Sequence, residues 1–131
     1  MRKILLIDDE EVVRSFVRSA LKYEDYIVED VPDADSAFIA LDEKHTDIVI
    51  SDIFMPGKDG FEVIEEIKRG HPAVKIIAIT GGGLNLFDAE TALTTAKRSG
   101  ADYALIKPFK RRELLGAIQA VLDLGESTQA I

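Results

Sequence analysis

Asp8, Asp9, Asp52, Thr80 and Lys107 share one circumstance: each directly follows an apolar run of the sequence. Asp8 and Asp9 close Ile4-Leu5-Leu6-Ile7, Asp52 closes Ile48-Val49-Ile50-Ser51, and Thr80 closes Ile76-Ile77-Ala78-Ile79. Lys107 closes Tyr103-Ala104-Leu105-Ile106. Carboxylates brought within a few ångströms of one another repel, so such a cluster either protonates or holds a cation. An all-oxygen set suits Mg²⁺ or Mn²⁺ and lacks the ligands zinc prefers. Lysine adds a compact positive charge and threonine a hydroxyl donor. Main-chain N–H groups around Gly81 have no side chain to keep an anion away. Carboxylate, divalent metal, lysine and hydroxyl make up a kit for phosphoryl transfer, and aspartate is itself a covalent phosphate acceptor.

The kit works only if the runs are strands that all end at one edge. Apolar, β-branched runs read as buried strands, and Pro56-Gly57 and Pro108 supply the breaks after two of them. Strands are expected near 3–7, 26–28, 47–51, 74–79 and 103–106. Helical stripes lie between them. Val12, Val13, Phe16, Val17, Ala20 and Leu21 form the first, with Asp9, Glu10 and Glu11 at its acidic start. Pro32-Asp33 opens the second, which buries Ala34, Ala37, Phe38 and Leu41. Asp59-Gly60 leads into the third, through Phe61, Ile64 and Ile67, and Gly70-His71-Pro72 ends it. A fourth runs from about Asp88 to Ser99, and a last one passes through Leu114, Leu115, Ile118, Val121 and Leu122. Strand–helix alternation of this kind predicts an α/β fold: a parallel sheet with helices on both faces and right-handed crossovers. In such sheets ligands bind at the carboxyl edge.

At 131 residues, with 47% hydrophobic and 31% charged residues, the chain has the size and balance of one globular domain. A net charge of −8 argues against a nucleic-acid surface, which needs a basic patch. With no cysteine there is no disulfide, thiolate metal site or cysteine nucleophile. No apolar run approaches the roughly 18 residues of a membrane span, so neither membrane insertion nor a signal peptide is expected, and a cytoplasmic location is. Residues 125–131 are small and polar and are expected to form a short disordered tail after a domain over 1–124.

Each piece alone has a plainer reading. A strand-end aspartate is most often a turn or cap residue. Gly81-Gly82-Gly83 without a following Gly-Lys-Ser/Thr is an ordinary turn rather than a phosphate loop. His45 and His71 precede strands, on the other edge, and take structural roles. The joint order Asp-Asp, Asp, Thr, Lys, each after its own strand, is what points to function.

The segments Leu5-Leu6-Ile7-Asp8-Asp9-Glu10, Ile50-Ser51-Asp52-Ile53-Phe54-Met55-Pro56, Thr80 and Lys107-Pro108-Phe109 resemble a two-component response-regulator receiver domain, over about residues 2–123. The resemblance implies a flavodoxin-like, doubly wound (βα)5 fold with a five-stranded parallel sheet in the order 2-1-3-4-5. It implies Asp52 as phosphoacceptor, Asp9 as a direct metal ligand and Asp8 as a ligand mostly through water. The Phe54 main-chain carbonyl completes the protein's share of the Mg²⁺ sphere. Thr80 and Lys107 are expected to bind the phosphoryl oxygens, and Lys107-Pro108 to be a cis bond. Implied partners are a histidine kinase or histidine phosphotransfer protein as donor and a downstream protein effector. Direct DNA binding is not expected, and chemistry is limited to self-phosphorylation and self-dephosphorylation.

Two places depart from the family pattern. Ala104 stands where an aromatic is usual, with Tyr103 one position earlier. The stretch after Thr80 is longer than usual and includes Leu84-Asn85-Leu86-Phe87. Both bear on output, which is therefore expected to run through residues 81–90. Two rival readings remain at this level. A Mg²⁺-dependent aspartyl-nucleophile phosphatase wants an acid/base Asp just beyond the nucleophile and a substrate cap, but Phe54 holds that place and no cap insertion exists. A receiver-like module without phosphorylation would not need the five polar residues intact.

Overall fold

A computed structural model describes residues 1–81 and 86–129. The order along the chain is β1 (Arg2–Ile7), α1 (Glu11–Ala20), β2 (Tyr26–Val31), α2 (Ala34–Glu43), β3 (Ile48–Asp52), β4 (Phe54–Met55), β5 (Lys58–Asp59), α3 (Gly60–Gly70), β6 (Lys75–Thr80), α4 (Leu86–Ser99), β7 (Tyr103–Ile106) and α5 (Arg111–Gln129). β2-β1-β3-β6-β7 form one parallel sheet, which is the expected 2-1-3-4-5 order once the short β4-β5 ribbon is set aside. Strand order reverses between β1 and β3, and in open α/β sheets ligands bind beyond the carboxyl ends at such a point.

Register places the polar residues. Ile7 pairs with Ser51, which sets Asp8 level with Asp52. Asp52 pairs with Ile79, and Thr80 with Ile106, so Lys107 comes next on the far side.

Side-chain alternation divides the core into two layers. Leu5, Ile7, Val49, Ile76 and Ala78 pack with α2, α3 and α4. Ile4, Leu6, Ile48, Ile50, Ile77 and Ile79 pack with α1 and α5. Helix starts follow cap chemistry: Asp33 accepts from the Ser36 N–H at 2.8 Å, and Asp59 from the Phe61 N–H at 2.9 Å.

Several boundaries differ from the sequence reading. β4 and β5 form an antiparallel ribbon turning through Gly57, whose φ is +80°. β2 is longer than expected because Glu29, Asp30 and Val31 stay in register with β1. In α1, Val12 is 79% and Phe16 39% exposed; they lie four apart on a flank beside the sheet-facing strip of Val13, Val17 and Ala20. Phe16 meets Phe109 edge-to-face, with ring centroids 5.7 Å apart. α5 continues through 125–129, where a tail was expected. The longer stretch after Thr80 includes residues 82–85, which lie outside the described residues. Among the described residues no helix is long and apolar enough to cross a membrane.

Candidate functional site

Asp52 is the last residue of β3 and is buried. Its Oδ1 accepts the Phe54 N–H at 2.9 Å, and its Oδ2 accepts from the Lys107 ammonium at 2.8 Å. Lys107 reaches it from just beyond β7, where its own N–H donates to the Thr80 carbonyl at 2.9 Å. The Lys107-Pro108 bond is cis. Asp8 is fully buried at the end of β1, with Oδ1 accepting the Glu10 N–H at 2.9 Å. Asp9 is exposed, and among the described residues its carboxylate has no hydrogen bond or ion pair. The structure thus brings the predicted aspartates and lysine together, with Thr80 tied to Lys107 and Phe54 to Asp52 by backbone hydrogen bonds.

The electrostatics are those of a cluster short of positive charge. Asp8, Asp9, Glu10 and Asp52 each offer an oxygen within 4.8 Å of the others. Against them stands, among the described residues, one ammonium, that of Lys107, which also lies 3.1 Å from Asp8 Oδ2 and 3.1 Å from Glu10 Oε1. Two like charges 4 Å apart repel by about 4 kcal/mol at an effective dielectric near 20. One lysine does not cancel four carboxylates. Burial pushes the Asp8 carboxyl up, and the Asp52 charge adds to this against the Glu10 N–H and Lys107. Burial opposes the Lys107 charge, yet the hydrogen bond it donates to Asp52 and the surrounding carboxylates hold it above its ordinary value.

The donor set fits a hard divalent cation. All the candidate ligands are oxygens, as Mg²⁺ or Mn²⁺ requires. Thr80 Oγ1 is buried with no hydrogen-bond partner among the described residues, so it is free to donate to an incoming anion. Asp8 Oδ2 is buried with, among the described residues, only the Lys107 ammonium at 3.1 Å, which a cation would replace. A divalent ion there would also let a phosphoryl group approach carboxylates that otherwise repel it.

Two contributors escaped the sequence reading. Glu10 joins the acidic cluster by its ion pair with Lys107, and Arg14 donates to the Asp8 main-chain oxygen at 2.7 Å. The acidic run Asp8-Asp9-Glu10 was a visible signal for the first. Nothing local in the sequence marks the second. His45 and His71 are not part of the acidic cluster and are paired with Asp47 at 2.9 Å and Asp42 at 3.3 Å.

Comparison with known proteins agrees with this geometry. Residues 4–119 match the family model of the response regulator receiver domain. The chain is 32% identical over 126 residues to the "Transcriptional regulatory protein ResD" of Bacillus subtilis (strain 168), covering 96% of this chain and 50% of that protein. It therefore spans about half the length of that relative. A crystal structure of NtrX from Brucella abortus superposes with a TM-score of 0.88 at 32% identity, over 99% of this chain and 29% of that one. A CheY-like response regulator receiver domain protein from Methanospirillum hungatei JF-1 superposes at 0.85 with 26% identity, covering 98% of each chain. By the match over residues 4–119, the chain belongs to the response regulator receiver domain family of two-component systems.

Proposed function

We propose that the domain takes a phosphoryl group onto Asp52 from the phosphohistidine of a histidine kinase or histidine phosphotransfer protein. A carboxylate oxygen of Asp52 attacks phosphorus, the P–N bond breaks, and the leaving imidazole retains the bond's electron pair and takes a proton from water. Lys107 then transfers its hydrogen bond from Asp52 to a phosphoryl oxygen, and the Thr80 hydroxyl supplies a second donor. Asp8, Asp9, Asp52 and the Phe54 main-chain carbonyl would hold Mg²⁺ or Mn²⁺, which when bound neutralises charge on the phosphoryl oxygens. The observation that carries this reading is the 2.8 Å contact between Lys107 Nζ and Asp52 Oδ2 inside an acidic cluster. The chemistry is modification of the protein itself, not turnover of a substrate.

A protein donor suits the surroundings. Beside Lys107 an open apolar groove of about 460 Å³ is lined by Val12, Val13, Phe16, Pro108 and Phe109. With a net charge of −8 the output is read as a protein effector rather than DNA. The departures at Ala104 and after Thr80 assign output to residues 81–90 and the helix they lead into.

The test is mass spectrometry after incubation with Mg²⁺ and acetyl phosphate. The native chain should gain one phosphoryl group and Asp52→Asn none, since an amide is a poor nucleophile. Equal labelling of both would move the acceptor elsewhere.

A further inference from the structure

Arg14 lies in α1, its side chain is 14% exposed, and its guanidinium is engaged on three sides. Nη1 donates to the Asp8 main-chain oxygen at 2.7 Å, Nε to Asp30 Oδ2 at 3.1 Å, and Nη2 to Glu11 Oε2 at 2.5 Å. A guanidinium is planar, so anchoring it on β2 and on its own helix fixes where the third donor points. That donor holds one end of the peptide unit joining Asp8 to Asp9. The unit is rigid, so holding its oxygen sets the direction in which the chain enters Asp9. Asp8 is secured besides by its N–H to the Val31 carbonyl at 3.2 Å and by Oδ1 to the Glu10 N–H at 2.9 Å. Asp9 has no such ties among the described residues, so its carboxylate takes its aim from the backbone.

We propose that Arg14 is a positioning residue for the cation site, acting through the Asp8–Asp9 peptide. The inference rests on reading the acidic cluster as a Mg²⁺ site. Arg18 provides an internal control. It bonds the same two carboxylates, Asp30 at 2.5 Å and Glu11 at 2.9 Å, and none of Asp8–Glu10 among the described residues. The sign of the effect separates positioning from charge. Removing a cation near carboxylates favours Mg²⁺, whereas losing the clamp disfavours it.

Calorimetric titration with Mg²⁺ of the native chain, Arg14→Ala, Arg14→Lys and Arg18→Ala decides the matter. Arg14→Ala should bind about tenfold or more weakly, as loss of a residue supporting metal ligands does elsewhere. Arg14→Lys keeps the charge but loses the planar fork, and should fall between it and the native chain. Arg18→Ala should bind as tightly as the native chain or tighter. In the metal-free proteins, amide exchange at Asp9 and Glu10 should quicken in the Arg14 variants and not in Arg18→Ala. If Arg14→Ala fails to fold, Arg14→Lys against Arg18→Ala carries the comparison. Arg14 variants that bind as well as Arg18→Ala overturn the proposal alone. A native chain that does not bind Mg²⁺ overturns it together with the reading of the site.

Discussion

The Lys107 ammonium stands 2.8 Å from Asp52 Oδ2, and the same nitrogen is 3.1 Å from Asp8 Oδ2. In the absence of a cation, this lysine is the internal counter-ion of the acidic cluster. Lys107→Met should therefore lower stability by about 3–5 kcal/mol without Mg²⁺, since removing one partner leaves buried charge uncompensated. Millimolar Mg²⁺ should recover most of the loss. Urea denaturation with and without the metal measures both. An equal deficit in the two conditions argues against the counter-ion role.

Gly60 and Gly116 make a contrasting pair. A Cβ on Gly60 would overlap the backbone of Ile53, whereas a Cβ on Gly116 would meet nothing within 4 Å. Gly60→Ala should cost about 1–3 kcal/mol, as overpacking does, and weaken Mg²⁺ binding, because Ile53 lies between Asp52 and Phe54. Gly116→Ala, inside α5, should add up to about 1 kcal/mol of stability. Thermal melts of the two variants should move in opposite directions.

At the opposite edge of the sheet, Asp47 Oδ2 accepts the Lys3 N–H at 2.9 Å and Oδ1 faces His45 Nε2 at 2.9 Å. Burial alone would raise the Asp47 carboxyl. The Lys3 N–H and His45 outweigh it and hold the group below its ordinary 3.8. A depressed native value means the stabilisation is present above the unfolded value and is lost as pH falls through the folded one. Stability of the native chain should thus drop below about pH 4, and Asp47→Asn should show a shallower drop over the same window. Urea midpoints taken between pH 5 and pH 3 give the comparison.

Ala104 packs against the α2-α3-α4 layer and Leu105 belongs to the α1-α5 layer, while Tyr103 is 38% exposed. By strand alternation, Tyr103 is therefore on the face opposite Ala104, where the family usually carries an aromatic. Hydrogen exchange with and without beryllofluoride should change mainly over residues 80–95. Changes confined to Tyr103 and α5 would refute output through this segment.

The strand ends were legible because an apolar run and its polar terminator are adjacent in sequence. Asp8, Asp9, Asp52, Thr80 and Lys107 could each be found that way, and parallel alternation then put them at one edge. Val12 was misplaced because a helix with many apolar residues does not reveal which strip meets the sheet. The β4-β5 ribbon is only Phe54-Met55 and Lys58-Asp59 around its turn, too short to show a period. The Arg14 clamp and the Glu10–Lys107 pair depend on how distant segments come together. Charge pattern along α1 reads simply as a solvated face.

The parallel sheet, with one layer packed on each side, works as a bulkhead. No inward side chain of β1, β3 or β6 serves both compartments. Substitutions such as Ile64→Val in one and Ile118→Val in the other should add independently, while pairs within a compartment should not. The α1-α5 side can therefore be tuned for one binding partner while the α4 side is tuned for another, with little cross-talk through packing.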